Sequence, residues 1–109
     1  MSTRAEVDII DCNNQSYQFS IYRDAFPGEV VANLLDHEME DEMDLEDVKR
    51  RLSLRDNKEP FPDFYFSISL VERTIEIHNA DFSSESWKRG ELIFSGPFAE
   101  AKQNLGKII

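Results

Sequence analysis

Polar and apolar residues alternate twice near the N-terminus, first through Val7 and Ile9 and again through Tyr17, Phe19 and Ile21. Between the two stretches lies a run of turn formers, Asp11-Cys12-Asn13-Asn14-Gln15-Ser16, so the pattern predicts an antiparallel hairpin turning near Asn13-Asn14. After Phe26-Pro27-Gly28 the period changes. Val31, Leu35, Met39 and Met43 recur every four residues with Val30 and Leu34 beside them, which predicts a helix over about 28–43. At 3.6 residues per turn, Leu45, Val48 and Leu52 fall on a different side from that stripe, so the rod must break near Asp44. Asp44 and Asp47 have the spacing of a capping box with a shorter acid, and Met43 and Val48 sit where a hydrophobic staple would close. A second helix follows over about 45–54, with Lys49, Arg50, Arg51 and Arg55 toward its C-terminal end, where cations complement the helix dipole.

The two prolines of Glu59-Pro60-Phe61-Pro62 mark a loop that separates this helical half from a β-rich half. Phe64, Phe66, Ile68 and Leu70 alternate, and Ile75 and Ile77 alternate after a phase change at Val71-Glu72-Arg73, which predicts two strands joined by a turn. A polar connection over 79–86 leads to a strand over about 87–95. Gly96-Pro97 then starts a last helix with Phe98, Ala101 and Leu105 facing inward and Gly106 closing it. The order β-β-α-α-β-β-β-α, with its strands clustered, predicts an α+β fold: a mainly antiparallel sheet of about five strands packed against two to three helices.

With 109 residues, 40% of them hydrophobic and eight of them Phe, the chain has the size and apolar content of a single domain over 1–109. The first eight residues contain no apolar run of export-signal type and no stretch approaches a membrane span, so the expectation is a cytoplasmic protein without a membrane contact. The one cysteine, Cys12, cannot form an internal disulfide, which suits a reducing compartment. No Lys, Arg or His adjoins it to activate the thiol.

Charge changes the picture most. Asp36, Glu38, Glu40, Asp41, Glu42, Asp44, Glu46 and Asp47 fall within twelve residues that contain no Lys or Arg, and they account for eight of the net ten negative charges. Carboxylates three and four apart on a helix, such as Asp36 with Glu40, repel by about 0.2 to 0.5 kcal/mol each, and no lysine offsets them here. The same residues can solvate the outer face of a helix. Their concentration also suits capture of a basic protein surface by electrostatic steering, and that is the partner class expected. A polyanion or an anionic membrane is disfavoured, because both are bound through Lys and Arg.

No spacing of His, Cys, Ser and acids marks a catalytic set, a cofactor or a metal centre. The acidic run lacks the glycine and ligand spacing of an EF-hand, His37 and Asp41 alone do not make a zinc site, and His78 is remote. Both histidines are read as surface or edge residues. Trp87, beside Lys88 and Arg89, is read as core or rim packing and also as a candidate anchor for a protein interface, with Tyr17 and Tyr65 able to join it. The expectation is therefore a non-enzymatic acidic binding protein without cofactor. Its sharpest form is an inhibitor or immunity-type protein that neutralises a nuclease toxin or another nucleic-acid-acting protein. The alternative is a regulatory or assembly subunit that binds through a sheet edge and aromatics, with the acidic helix only solvating. Oligomeric state is left open by the sequence.

Overall fold

A computed structural model describes residues 3–35, 43–57, 61–81 and 88–104. The strands are β1 (Ala5–Ile10), β2 (Ser16–Ile21), β3 (Phe64–Ser69), β4 (Thr74–Asp81) and β5 (Lys88–Pro97), and the helices are α1 (Pro27–Leu35), α2 (Leu45–Leu52) and α3 (Phe98–Gln103). They form one five-stranded sheet in the order β2-β1-β3-β4-β5, and the fold is α+β.

The β1–β2 hairpin closes through Asp11. Its Oδ1 accepts from the backbone N–H of Asn13 and of Gln15, both at 2.9 Å, and Asn14 takes the left-handed backbone (φ 62°) that asparagine tolerates. Cys12 is exposed in this turn. The chain then leaves β2 at the sheet edge and crosses through α1 and α2. It returns as β3 on the far side of β1 and parallel to it, with Val7 opposite Phe66. This parallel pair departs from a purely antiparallel sheet, because a crossover through helices delivers the next strand in the direction of the first. The β3–β4 and β4–β5 pairs are antiparallel.

Register places Phe19, Val7, Phe66, Ile77 and Phe94 in one row across the sheet. This face meets Val30, Val31, Leu34 and Leu35 of α1, Val48 and Leu52 of α2, and Phe98 and Ala101 of α3 in a single core. Each large apolar side chain so buried contributes about 1.5 to 3 kcal/mol relative to exposure.

Several boundaries differ from the sequence reading. Helix α1 is described as far as Leu35, residues 36–42 lie outside the described residues, and Met43 is not helical. The break near Asp44 is present. Asp44 is the N-cap of α2, with the full capping box, and Met43 and Val48 are both wholly buried. Helix α2 stops two residues early because Ser53 turns left-handed (φ 51°, ψ 49°) and sends its N–H back to the Lys49 and Arg50 carbonyls. Strand β4 runs on through Asn79 and Ala80 to Asp81, where a polar loop was expected. Pro97 is not the first helical residue. It pairs opposite Thr74 in the sheet and holds the N-cap position of α3 in an extended conformation. Gly106 lies outside the described residues. Among the described residues, no helix is long and apolar enough to cross a membrane.

Candidate functional site

Of the residues the sequence singles out for partner binding, Asp36, Glu38, Glu40, Asp41, Glu42 and Trp87 lie outside the described residues. Asp44, Glu46 and Asp47 are described, and all three have local duties on α2. Asp44 Oδ1 accepts from the Asp47 N–H at 2.9 Å, and Asp47 Oδ2 accepts from the Asp44 N–H at 3.0 Å. Arg50 donates to Asp47 Oδ1 at 2.9 Å, and Glu46 faces Lys49 at 3.8 Å. The Asp44 N–H and the Arg50 guanidinium hold the Asp47 carboxyl below its ordinary value of 3.8.

The two ends of the 36–42 segment are fastened to the core. Leu35 before it and Met43 after it are both fully buried. Arg51 on α2 ties these ends together, its Nη1 donating to the Leu34 carbonyl at 2.9 Å and approaching Met43 Sδ at 3.1 Å. Arg73, in the β3–β4 turn, donates to the Met43 carbonyl at 2.8 Å. The residues that flank the acid-rich segment, Leu35 and Met43, are thus both anchored in the core.

A second cluster occupies the sheet face opposite the helices, and sequence reasoning missed it. Glu6, Tyr65 and His78 share a row, and all three are buried, as is Ser20 beside Glu6. This corrects the placement of His78 as a surface or edge residue, since β4 lies between β3 and β5. Tyr65 donates its hydroxyl hydrogen to Asp8 Oδ2 at 2.5 Å and accepts from Arg89 Nη2 at 2.8 Å, while the Arg89 guanidinium lies 4.4 Å from the centre of its ring. Burial first, then the hydrogen bond to Asp8 and that carboxylate's charge, pushes the Tyr65 hydroxyl up to about 12, with Arg89 pulling the other way. His78 has both ring nitrogens engaged, Nε2 with Glu76 Oε1 at 2.6 Å and Nδ1 with the Gly90 carbonyl at 3.1 Å. Position 90 is also tightly packed against β4, since a Cβ there would stand 2.9 Å from the Asn79 carbonyl oxygen.

These contacts decide what the cluster can do chemically. A tyrosine that ionises near 12 is neither base nor nucleophile at neutral pH. An imidazole whose two nitrogens face a carbonyl and a carboxylate has none left for a substrate. The network crosslinks β1, β3, β4 and β5. Among the described residues, no three of His, Cys, Asp and Glu converge as a metal site. The signal that could have located it was the off-phase set of Glu6, Asp8, Tyr65, Glu76 and His78, which alternates with the core residues of the same strands. The chain matches no protein-family model, no curated protein and no solved structure, so a reading of its function rests on the chemistry of its own residues.

Proposed function

We propose that this chain is a small cytoplasmic binding protein, not an enzyme, that occupies a basic surface of a protein partner through residues 36–47. In its sharpest form it is an inhibitor or immunity-type protein that neutralises a nuclease toxin or another nucleic-acid-acting protein. The observation that carries the reading is the placement of eight carboxylates, without one Lys or Arg, in a single twelve-residue stretch. Such a field speeds encounter with a cationic partner and can stand in for phosphates in a groove built for nucleic acid. Leu35 and Met43 fasten the ends of the 36–42 segment, which lowers the ordering cost of binding. Asp44 and Asp47 serve the α2 cap as well, so Asp36, Glu38, Glu40, Asp41 and Glu42 carry most of the proposed contact, with Trp87 as the aromatic anchor.

The test is retention of a basic partner from source-cell lysate on the tagged full chain and on a variant with Asp36, Glu38, Glu40 and Glu42 changed to Lys. Asp44 is left in place because it caps α2. The expected outcome is one basic protein held by the native chain, released by salt and lost from the variant. Equal retention by a folded variant would overturn the reading.

A second reading, a regulatory or assembly subunit that binds through a sheet edge and aromatics, draws on β5. This ten-residue edge strand leaves Leu92 half exposed. Its register shifts against β4 interrupt the ladder near Ile77 and His78 and weigh against simple strand addition. Binding that persists at high salt would favour it.

A further inference from the structure

A cavity of about 300 Å³ opens between the end of β2, α1 and the C-terminal turn of α2, and its charge is opposite to that of the chain. Arg23, Arg51 and Arg55 line it, with Asp24 the one carboxylate among the lining residues. The chain as a whole has 22 Asp and Glu against 12 Lys and Arg, so three arginines to one acid in one concavity reverses the prevailing balance. Among the described residues, none of these three arginines forms an ion pair, whereas Lys49, Arg50 and Arg89 elsewhere all do. Three guanidinium groups against a single carboxylate leave the cavity lining with a net positive charge, which an anion bound there would offset.

Local geometry orders the site. Arg51, whose Nη1 is held by the Leu34 carbonyl and Met43 Sδ, also lines the cavity, and its remaining guanidinium N–H groups are not used by those two contacts. Arg55 lies 4.6 Å from the centre of the Tyr22 ring, and Arg4 lies 4.7 Å from the same centre. With guanidinium groups already on the Tyr22 ring, that ring is poorly placed to stack a base. Asn33 adds an amide to the lining. Planar guanidinium forks and neutral donors around a volume of this size suit an oxyanion with several acceptor oxygens, carried by a small body.

We infer that this cavity binds a phosphate group, free or as a small phosphomonoester, through Arg23, Arg51 and Arg55. The inference is independent of the acidic-segment reading, since it uses the opposite charge and different elements. It is tested by titrating the isotope-labelled full chain with inorganic phosphate and with glycerol phosphate at constant ionic strength, following Tyr22, Asn33 and arginine Nε resonances. Saturable shifts confined to the cavity are expected, and the tighter of the two ligands names the source. A variant with Arg23→Gln and Arg55→Gln should bind about tenfold or more weakly, since two charge-assisted hydrogen bonds are lost. The Ser20–Arg55 pairing survives in that variant, because it uses backbone atoms, at 2.9 Å in both directions, and an amide proton spectrum like that of the native chain checks its fold. Shifts that grow linearly without saturating, or equal affinity in the folded variant, would overturn the inference.

Discussion

Asp44 and Asp47 exchange hydrogen bonds across the first turn of α2, each carboxylate accepting from the other residue's backbone N–H at 2.9 and 3.0 Å. Two acids placed at a helix N-terminus satisfy donors that have no partner inside the helix and lie at the positive end of its dipole. Part of the acidity that dominates this sequence is therefore structural, and the charge reversals of the run are not equivalent.

Replacing Asp44 with Ala should cost about 0.5 to 2 kcal/mol, the usual range for loss of an N-cap side chain. Thermal unfolding checks this against Glu46→Ala, whose salt bridge is solvent-exposed and whose loss should shift the midpoint little. Because the Asp47 carboxyl is held below 3.8, the stability it contributes is present above pH 4 and is lost as pH falls through its lowered value. An Asp47 carboxyl that titrates at or above 3.8 in a carbon-detected pH series would contradict the capping account.

Met43 is the other fixed point of the same junction. It is fully buried against the core, and Arg51 and Arg73 both reach it. Met43→Ala should destabilise by about 2 to 5 kcal/mol, the range for a large-to-small change in a packed site. Met43→Leu, which conserves volume, should cost less than about 1.5 kcal/mol. Chemical denaturation distinguishes the two, and equal small losses would place Met43 outside the core.

The contrast between Met43 and His78 shows what a sequence discloses here. The break at Asp44 was legible because its causes are local: a capping pair, a staple pair and a stripe that changes sides within ten residues. The hairpin at Asn14 and the alternation of Phe64, Phe66 and Ile68 were legible for the same reason. The parallel pairing of β1 with β3 was not, since it depends on where the α1–α2 crossover delivers the chain. Glu6, Tyr65 and His78 alternate with the core residues of their strands, but alternation alone does not disclose that the face they share is buried. The meeting of Arg4 and Arg55 at the Tyr22 ring, with Arg23 and Arg51 in the adjoining cavity, joins positions far apart in the sequence and leaves no periodic trace. Pro97 was misplaced by one position because a helix-start preference is weaker than pairing with Thr74.

Ser53 ends α2 with φ 51° and ψ 49°, a conformation that costs an L-residue about 1 to 2 kcal/mol and glycine much less. No side-chain contact of Ser53 is needed for the cap, which uses its backbone N–H. Ser53→Gly should therefore raise stability by a few tenths to about 1 kcal/mol, after the greater flexibility of glycine in the unfolded chain is set against the relief. A lowered melting temperature would mean that the hydroxyl does more at the neighbouring cavity than the cap geometry requires.

Tyr65 gives the sheet a dependence on alkaline pH whose sign follows from its environment. In the folded protein its hydroxyl stays protonated up to about 12, whereas an unfolded tyrosine ionises near 10. Below pH 10 both states hold the proton and the contribution is complete. Between 10 and 12 the unfolded chain has released a proton that the native state still binds, so stability falls as pH rises through that window. Tyr65→Phe should remove this slope. At pH 7 the same change strips Asp8 Oδ2 and Arg89 Nη2 of their shared partner and should cost about 1 to 3 kcal/mol. Urea unfolding of the native chain and of Tyr65→Phe at pH 8 and pH 11 separates the two effects: the gap between the proteins should narrow at the higher pH. A gap that stays constant would show that the Asp8–Tyr65–Arg89 chain does not hold the proton, and the crosslink between β1, β3 and β5 would have to be attributed to ring packing alone.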